Sequence, residues 1–230
     1  MRKLHDRYFK QAKREGKLAR SVYKLEELNS RDRIIKRGDK VLDLGASPGS
    51  WLEYILGVIG GSGSACAVDL KPIDKKFKGR ATFRMMDIME MRGDEFSEVA
   101  TEFDAIVSDM APNTSGIRIM DQARSQELCE AVVRIACPML KTGGNLVMKI
   151  FYGPETEFYR AQLAKRFATV KVRKPEACRD ESTEHYLVCL GHGLEPKVKK
   201  DKAEKSTETK KTPPKAGSKK PGMKRRGTKR

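Results

Sequence analysis

Seven short apolar runs recur along residues 41–190, and several of the stretches between them carry apolar residues at helical spacing. The runs fall at 41–44 (VLDL), 65–70 (ACAVDL), 82–87, 103–109 (FDAIVSD), 145–151 (NLVMKIF), 169–173 and 185–190. Helical spacing appears at 51–59, over the long stretch 121–140, and at 158–167. The runs are continuous rather than alternating, as strands are when both of their faces are buried. Such a chain is constrained to an α/β fold: a mostly parallel seven-stranded sheet with helices on both faces.

Charge divides the chain into three. Residues 1–40 hold 14 Lys and Arg against 6 Asp and Glu, and residues 195–230 hold 15 against 4. The stretch between them, 41–194, holds 19 against 21 and is close to neutral. The expected organisation is a basic N-terminal helical arm over 1–40, a globular body over 41–194 and a disordered basic tail over 195–230. The tail is rich in Lys, Pro, Gly, Ser and Thr, has no aromatic residue, and cannot bury enough apolar surface to fold alone. Two basic flanks around a neutral body point to a polyanion partner, because each phosphate neutralised releases counterions. A tail that only aids solubility is the plainer alternative for 195–230 taken alone.

The five cysteines show no CxxC pair and no histidine at metal-ligand spacing, as expected of free thiols in a reducing compartment. His5, His185 and His192 are too scattered to build a metal site, and no metal is expected. No apolar stretch approaches bilayer length, and the basic N-terminus lacks the apolar block of a signal peptide. A cytoplasmic protein without a membrane partner is therefore expected.

In a doubly wound sheet, ligands bind beyond the carboxyl ends of the strands, where the strand order reverses. The loop after the first run reads DLGASPGSW over residues 43–51. Its two glycines, Gly45 and Gly49, permit a tight turn and close approach of a ligand. Pro48 removes an N–H that a pyrophosphate would use, so the loop suits a ligand without phosphates. The methionine and ribose parts of S-adenosylmethionine are such a ligand, and a nicotinamide dinucleotide is not. Asp69, at the end of the second run, is placed to accept from ribose hydroxyls. Asp87, ending the third, can meet an adenine amino group, and Asp109, ending the fourth, the sulfonium end. Each acid alone also fits a loop residue or a helix cap; together they converge on one crevice. Trp51 fits core packing at a helix start as well as it fits ligand contact.

Three charged residues remain. Lys149 lies inside an apolar strand pattern, where a charge is costly unless paired. Lys24 lies ahead of the sheet and Glu184 opens the last run. Methyl transfer to a hydroxyl is an in-line displacement that needs the oxygen placed and its proton removed. A lysine does this only as a free amine, and bringing a lysine from about 10.4 to near neutrality costs roughly 4–5 kcal/mol. Burial and a second cation push that way, whereas a close carboxylate pushes back. A lone strand lysine also fits an edge residue whose stem snorkels to water.

The stretches RSVYKLEEL, VLDLGASPGSW, AVDL, SDMAPNTSG, VMKIFYG and KPEACRDESTEHYLVCLG, in this order, resemble the FtsJ/RrmJ (RlmE) family of RNA ribose 2′-O-methyltransferases. The likeness covers nearly all of residues 1–194. It implies a Rossmann-like S-adenosylmethionine-dependent methyltransferase fold. The family's Lys-Asp-Lys-Glu tetrad falls on Lys24, Asp109, Lys149 and Glu184, with Lys149 as the catalytic base. Its cofactor contacts fall on Gly49, Trp51, Asp69, Asp87 and Asp109. Ser50 stands where family members often carry a second glycine, and the basic tail lies outside the family core.

The bacterial member modifies a uridine in the A-loop of 23S ribosomal RNA within the large subunit. The resemblance thus implies a monomer acting on 23S rRNA in the 50S particle, with no DNA partner. A rival reading keeps the chemistry and moves it to transfer-RNA anticodon-loop riboses; the absence of an appended S4-like module tilts the expectation to ribosomal RNA. A rival of another class is a catalytically silent RNA-binding assembly factor, which predicts loss of the tetrad, yet all four residues are present.

Overall fold

The computed structural model describes residues 2–73, 75, 77, 79–179 and 181–195. The seven expected strands are present: β1 (Lys40–Leu44), β2 (Ser64–Asp69), β3 (Ala81–Met85), β4 (Phe103–Ser108), β5 (Leu140–Phe151), β6 (Phe167–Arg173) and β7 (Glu184–His192). They form one sheet in the order β3-β2-β1-β4-β5-β7-β6. Strands β1 to β5 run parallel, and β7 is inserted antiparallel between β5 and β6. The order reverses between β1 and β4, which leaves a crevice beyond their carboxyl ends.

Side-chain alternation along the strands fills two cores. Leu42 and Leu44 of β1, Leu146, Met148 and Ile150 of β5, and Leu187 and Cys189 of β7 face one side. Val41, Val147, Tyr186 and Val188 face the other. Because both faces are buried, nearly every position of these runs is apolar, which is why the pattern is continuous. Burying each such side chain contributes about 1.5–3 kcal/mol. The first core is closed by α4 (Arg118–Met139) and α5 (Glu155–Leu163) through Val132, Ile135, Tyr159 and Leu163. The second is closed by α2 (Val22–Asp32) and α3 (Ser50–Ile59) through Leu25, Leu28, Leu52 and Ile55.

Several boundaries differ from expectation: β5 begins at Leu140 rather than at residue 145, β6 at Phe167 rather than at residue 169, and α4 at Arg118 rather than at residue 121. β3 ends at Met85 rather than at residue 87, because Asp87 caps a short 3-10 turn, Ile88–Glu90, by accepting from the Met89 N–H at 2.9 Å. Helix α5 starts at Glu155, behind Pro154 at its N-cap, and has ended before Phe167 begins β6. β7 gains a residue at its start and two at its end.

The stretch 1–40 holds α1 (Arg2–Arg14) and α2, and α2 packs into the body. Its far end is held by the buried Asp32 carboxylate, which accepts from Lys171 Nζ at 2.6 Å and Arg173 Nε at 2.9 Å. Apart from Glu195, the tail expected over 195–230 lies outside the described residues. All five cysteines are free and buried. Among the described residues no helix is long and apolar enough to cross a membrane.

Candidate active site

The loop from β1 to α3 turns on Gly45 and Gly49, whose φ angles are +84° and +102°. The Gly45 and Ala46 N–H groups donate to the Val68 carbonyl at 2.8 and 3.0 Å, which ties the loop to the neighbouring strand. A Cβ at Gly45 would overlap Met110 Cγ, so only glycine allows the segment after β4 to lie against this turn. A cleft of about 850 Å³ opens beside it. Gly45, Ser47, Pro48, Asp69, Asp87 and Asp109 contribute to its walls, and Met110 to Asn113 form one side. The three acids named from the sequence thus meet in a single cleft.

Asp69 already accepts two backbone N–H groups, from Ser47 and Lys71, each at 2.8 Å. Its oxygens keep further lone pairs toward the cleft. Gly49 and Trp51 lie outside the cleft lining. A Cβ at Gly49 would meet Ile73 and Phe77 at 3.0 and 3.1 Å. Trp51 is 2% exposed, packs against Tyr186 at 6.0 Å, and donates from Nε1 to the Ser21 carbonyl at 2.8 Å. The indole therefore anchors the first turn of α2, the helix that carries Lys24.

The four residues of the charged group come from four elements. Asp109 directly follows β4, Lys149 lies near the end of β5, and Lys24 projects from α2. Because β7 runs antiparallel, its first residue, Glu184, arrives at the carboxyl ends of β4 and β5. Lys149 Nζ lies 2.7 Å from Asp109 Oδ1, donates to the Asp109 carbonyl at 2.8 Å, and is 4.0 Å from Glu184 Oε1. Lys24 Nζ is paired with Glu184 Oε1. The two lysine side chains are 7% exposed and the two acids 16%.

Burial alone would raise the Glu184 carboxyl, but the Lys149 and Lys24 charges outweigh it and hold it down at about 2. Burial pulls Lys24 down, and the Asp109 and Glu184 carboxylates more than reverse this, leaving it above the ordinary lysine value. Lys24 and Glu184 are therefore a standing ion pair.

Two further groups were not singled out from the sequence. Tyr186 Oη lies 2.5 Å from Asp109 Oδ1 and 2.7 Å from Glu184 Oε1, joining the two acids from beneath. Burial and these carboxylates push its phenol well above the ordinary value, so it stays a donor. Its signal was its spacing: two residues after Glu184 on a strand puts both on one face. The second is Asp43, buried inside β1 with no hydrogen-bond partner on either carboxyl oxygen among the described residues. Burial, followed by the charges of Asp109 and Asp69, raises its carboxyl well above the usual 3.8.

A cationic ligand group beside Asp109 on the cleft wall would offset the negative charge that Asp109, Asp69 and the buried Asp43 gather there. Together with the phosphate-free glycine turn and the cleft's volume, this fits the amino and sulfonium end of S-adenosylmethionine. In the ligand-free protein, a carboxyl raised above its unfolded value supports stability below about pH 3.8 and loses that support as pH rises. Asp43→Asn should accordingly raise Tm, and by more at pH 8 than at pH 4. A Tm difference equal at both pH values would refute the buried, costly carboxylate.

Comparison with known proteins follows the same lines. The model of the FtsJ-like methyltransferase family matches residues 18–192. A relative from Desulforapulum autotrophicum, named ribosomal RNA large subunit methyltransferase E, is 45% identical over 186 residues, covering 81% of this chain and 92% of its own. A relative of the same name from Oleidesulfovibrio alaskensis is 42% identical over 207 residues, covering 89% of this chain and all of its own. Among solved structures, one described as a ribosomal RNA methyltransferase from Plasmodium falciparum superposes with a TM-score of 0.67 at 26% identity, over 76% of this chain and 97% of that one. The fibrillarin pre-rRNA processing protein of Methanococcus jannaschii, 20% identical with a TM-score of 0.53 over 70% of each chain, shares the fold.

Proposed function

Since the chain belongs to the FtsJ-like methyltransferase family, we propose that it methylates a ribose 2′-hydroxyl of large-subunit ribosomal RNA, using S-adenosylmethionine as donor and Lys149 as base. One observation carries the reading: a buried lysine, 4.0 Å from Glu184, is held at 2.7 Å by Asp109, and Asp109 also lines a cleft whose walls suit that donor. The relatives' name, ribosomal RNA large subunit methyltransferase E, supplies the substrate class.

The donor, when bound, supplies an electrophilic methyl group on a cationic sulfur. The chain's own part is to seat it and to prepare the oxygen. Asp87 and Asp69 line the end of the cleft formed by the β2 and β3 loops, and Asp109 stands where that cleft meets the charged group. Asp109 holds the Lys149 amine by side chain and backbone carbonyl, so the nitrogen has one direction left for the ribose hydroxyl. Lys149 in its amine form takes the hydroxyl proton as the methyl group is transferred. The ammonium that forms is stabilised by Asp109 and, at 4.0 Å, by Glu184. Glu184 and Tyr186 keep Lys24 and Asp109 in place. The proposed substrate is a uridine of the 23S A-loop in the 50S particle, met by a monomer whose basic flanks follow the phosphate surface.

The test uses the full chain and labelled S-adenosylmethionine with three acceptors: 50S particles, free 23S RNA and transfer RNA. Label is expected on 50S particles, and nuclease digestion followed by mass spectrometry should place it on a 2′-O-methyluridine. Label on transfer RNA alone, or on a base, overturns the reading.

A further inference from the structure

Three aromatic side chains stand exposed among the described residues: Phe9, Tyr152 and Phe158. Only Tyr152 follows the carboxyl end of a strand, in the segment leaving β5. Its backbone is held on both sides and its ring is backed by a neighbour. The Tyr152 N–H donates to the Thr183 carbonyl at 2.7 Å, and its own carbonyl accepts from Gln122 Nε2 at 3.4 Å. The His185 ring packs on it with centroids 4.6 Å apart and planes tilted by 36°. His185 Nδ1 lies 3.0 Å from the same Thr183 carbonyl, which can only accept, so this nitrogen carries the proton. The Tyr152 backbone and the His185 ring are thus tied to one carbonyl, that of the residue preceding Glu184. With one face against His185, the tyrosine is still 46% exposed.

The position relates this ring to the chemistry. Tyr152 lies three residues beyond Lys149, roughly 10 Å along the strand. Lys149 pairs with Tyr186 on the α2 side of the sheet, whereas His185 pairs with Ile150 on the α4 side. The ring therefore stands beside the reacting sugar's place, around the strand end, and not within it.

We propose that the outer face of Tyr152, backed by His185, is a stacking platform for an unpaired base of the substrate RNA that flanks the methylated nucleotide. The proposal rests on the ribose-methylation reading above. Proteins read single-stranded RNA largely by stacking splayed bases on aromatic rings. A ring whose backbone and neighbour are already fixed loses little freedom on binding. Stacking on tyrosine also explains why an apolar ring stays in water at the edge of a charged site.

Steady-state kinetics of Tyr152→Ala with 50S particles provide the test. KM for the particle should rise roughly 5- to 100-fold, with kcat at saturation and the calorimetric Kd for S-adenosylmethionine unchanged. Tyr152→Phe should match the parent, because the ring and not the hydroxyl makes the contact. Tyr152→Trp adds an exposed indole beside the buried Trp51, and its emission should be quenched on titration with single-stranded oligouridylate. A particle KM within twofold of the parent in Tyr152→Ala, or an unquenched indole, overturns the platform, and leaves the patch to a protein partner. Quenching in a protein that methylates no RNA would keep the platform and remove the ribose-methylation reading instead.

Discussion

Lys149→Ala is expected to slow methyl transfer to RNA by roughly 10²- to 10⁴-fold, the usual worth of a positioned base. The donor's calorimetric Kd should hardly change, because Lys149 is not part of the cleft lining. The companion variant separates two explanations. Lys149→Arg keeps a cation between Asp109 and Glu184 but cannot be deprotonated. If the lysine acts as a base, the arginine variant fails as badly as alanine, although its pairing and its Tm survive. Single-turnover rates near those of the parent in Lys149→Arg would make the residue an electrostatic fixture and sink the assignment. Thermal unfolding guards against a trivial result, since alanine leaves two buried carboxylates facing the single Lys24 charge.

Gly45→Val should cost at least tenfold in affinity for S-adenosylmethionine and lower Tm. Two effects combine there. A β-branched residue at φ +84° costs about 1–3 kcal/mol in backbone strain. Its Cβ also overlaps Met110, so the segment over residues 110–113 must move off the cleft wall. Adding Met110→Ala to Gly45→Val should recover the steric part of the loss and leave the backbone part. Calorimetry of both variants reads this directly. Unchanged affinity in Gly45→Val would mean that the turn does not shape the cleft.

Much of the fold was legible because sheet burial on two sides forces uninterrupted apolar runs. β1, β2 and β4 were found within a residue or so at each end for that reason. Ends set by single side chains were harder. Asp87 looks like the close of a strand, yet its carboxylate turns back onto the Met89 N–H and caps a turn. The helical period sets α5 too late, because its exposed face carries Phe158 and blurs that period.

At the site, Asp69, Asp87, Asp109, Lys149 and Glu184 are legible as charges inside or beside apolar runs, whereas Lys24, on α2, joins them through the family resemblance. Trp51 fits two uses by its sequence position, and the structure puts its indole in the core behind the charged group rather than in the cleft lining. Asp43 opens the glycine-loop motif, and nothing local tells its buried carboxyl from one that caps the loop.

The residue pattern alone thus determined the fold class, the glycine turn and the types of side chain that carry charge into the interior, because period and composition are local properties of the chain. Which of them touch was decided only in three dimensions. The antiparallel insertion of β7 sets Tyr186 opposite Lys149 and brings Glu184 to the end where Asp109 emerges. Strand register is a long-range property: a slip of one residue would send each of these side chains to the other face of the sheet.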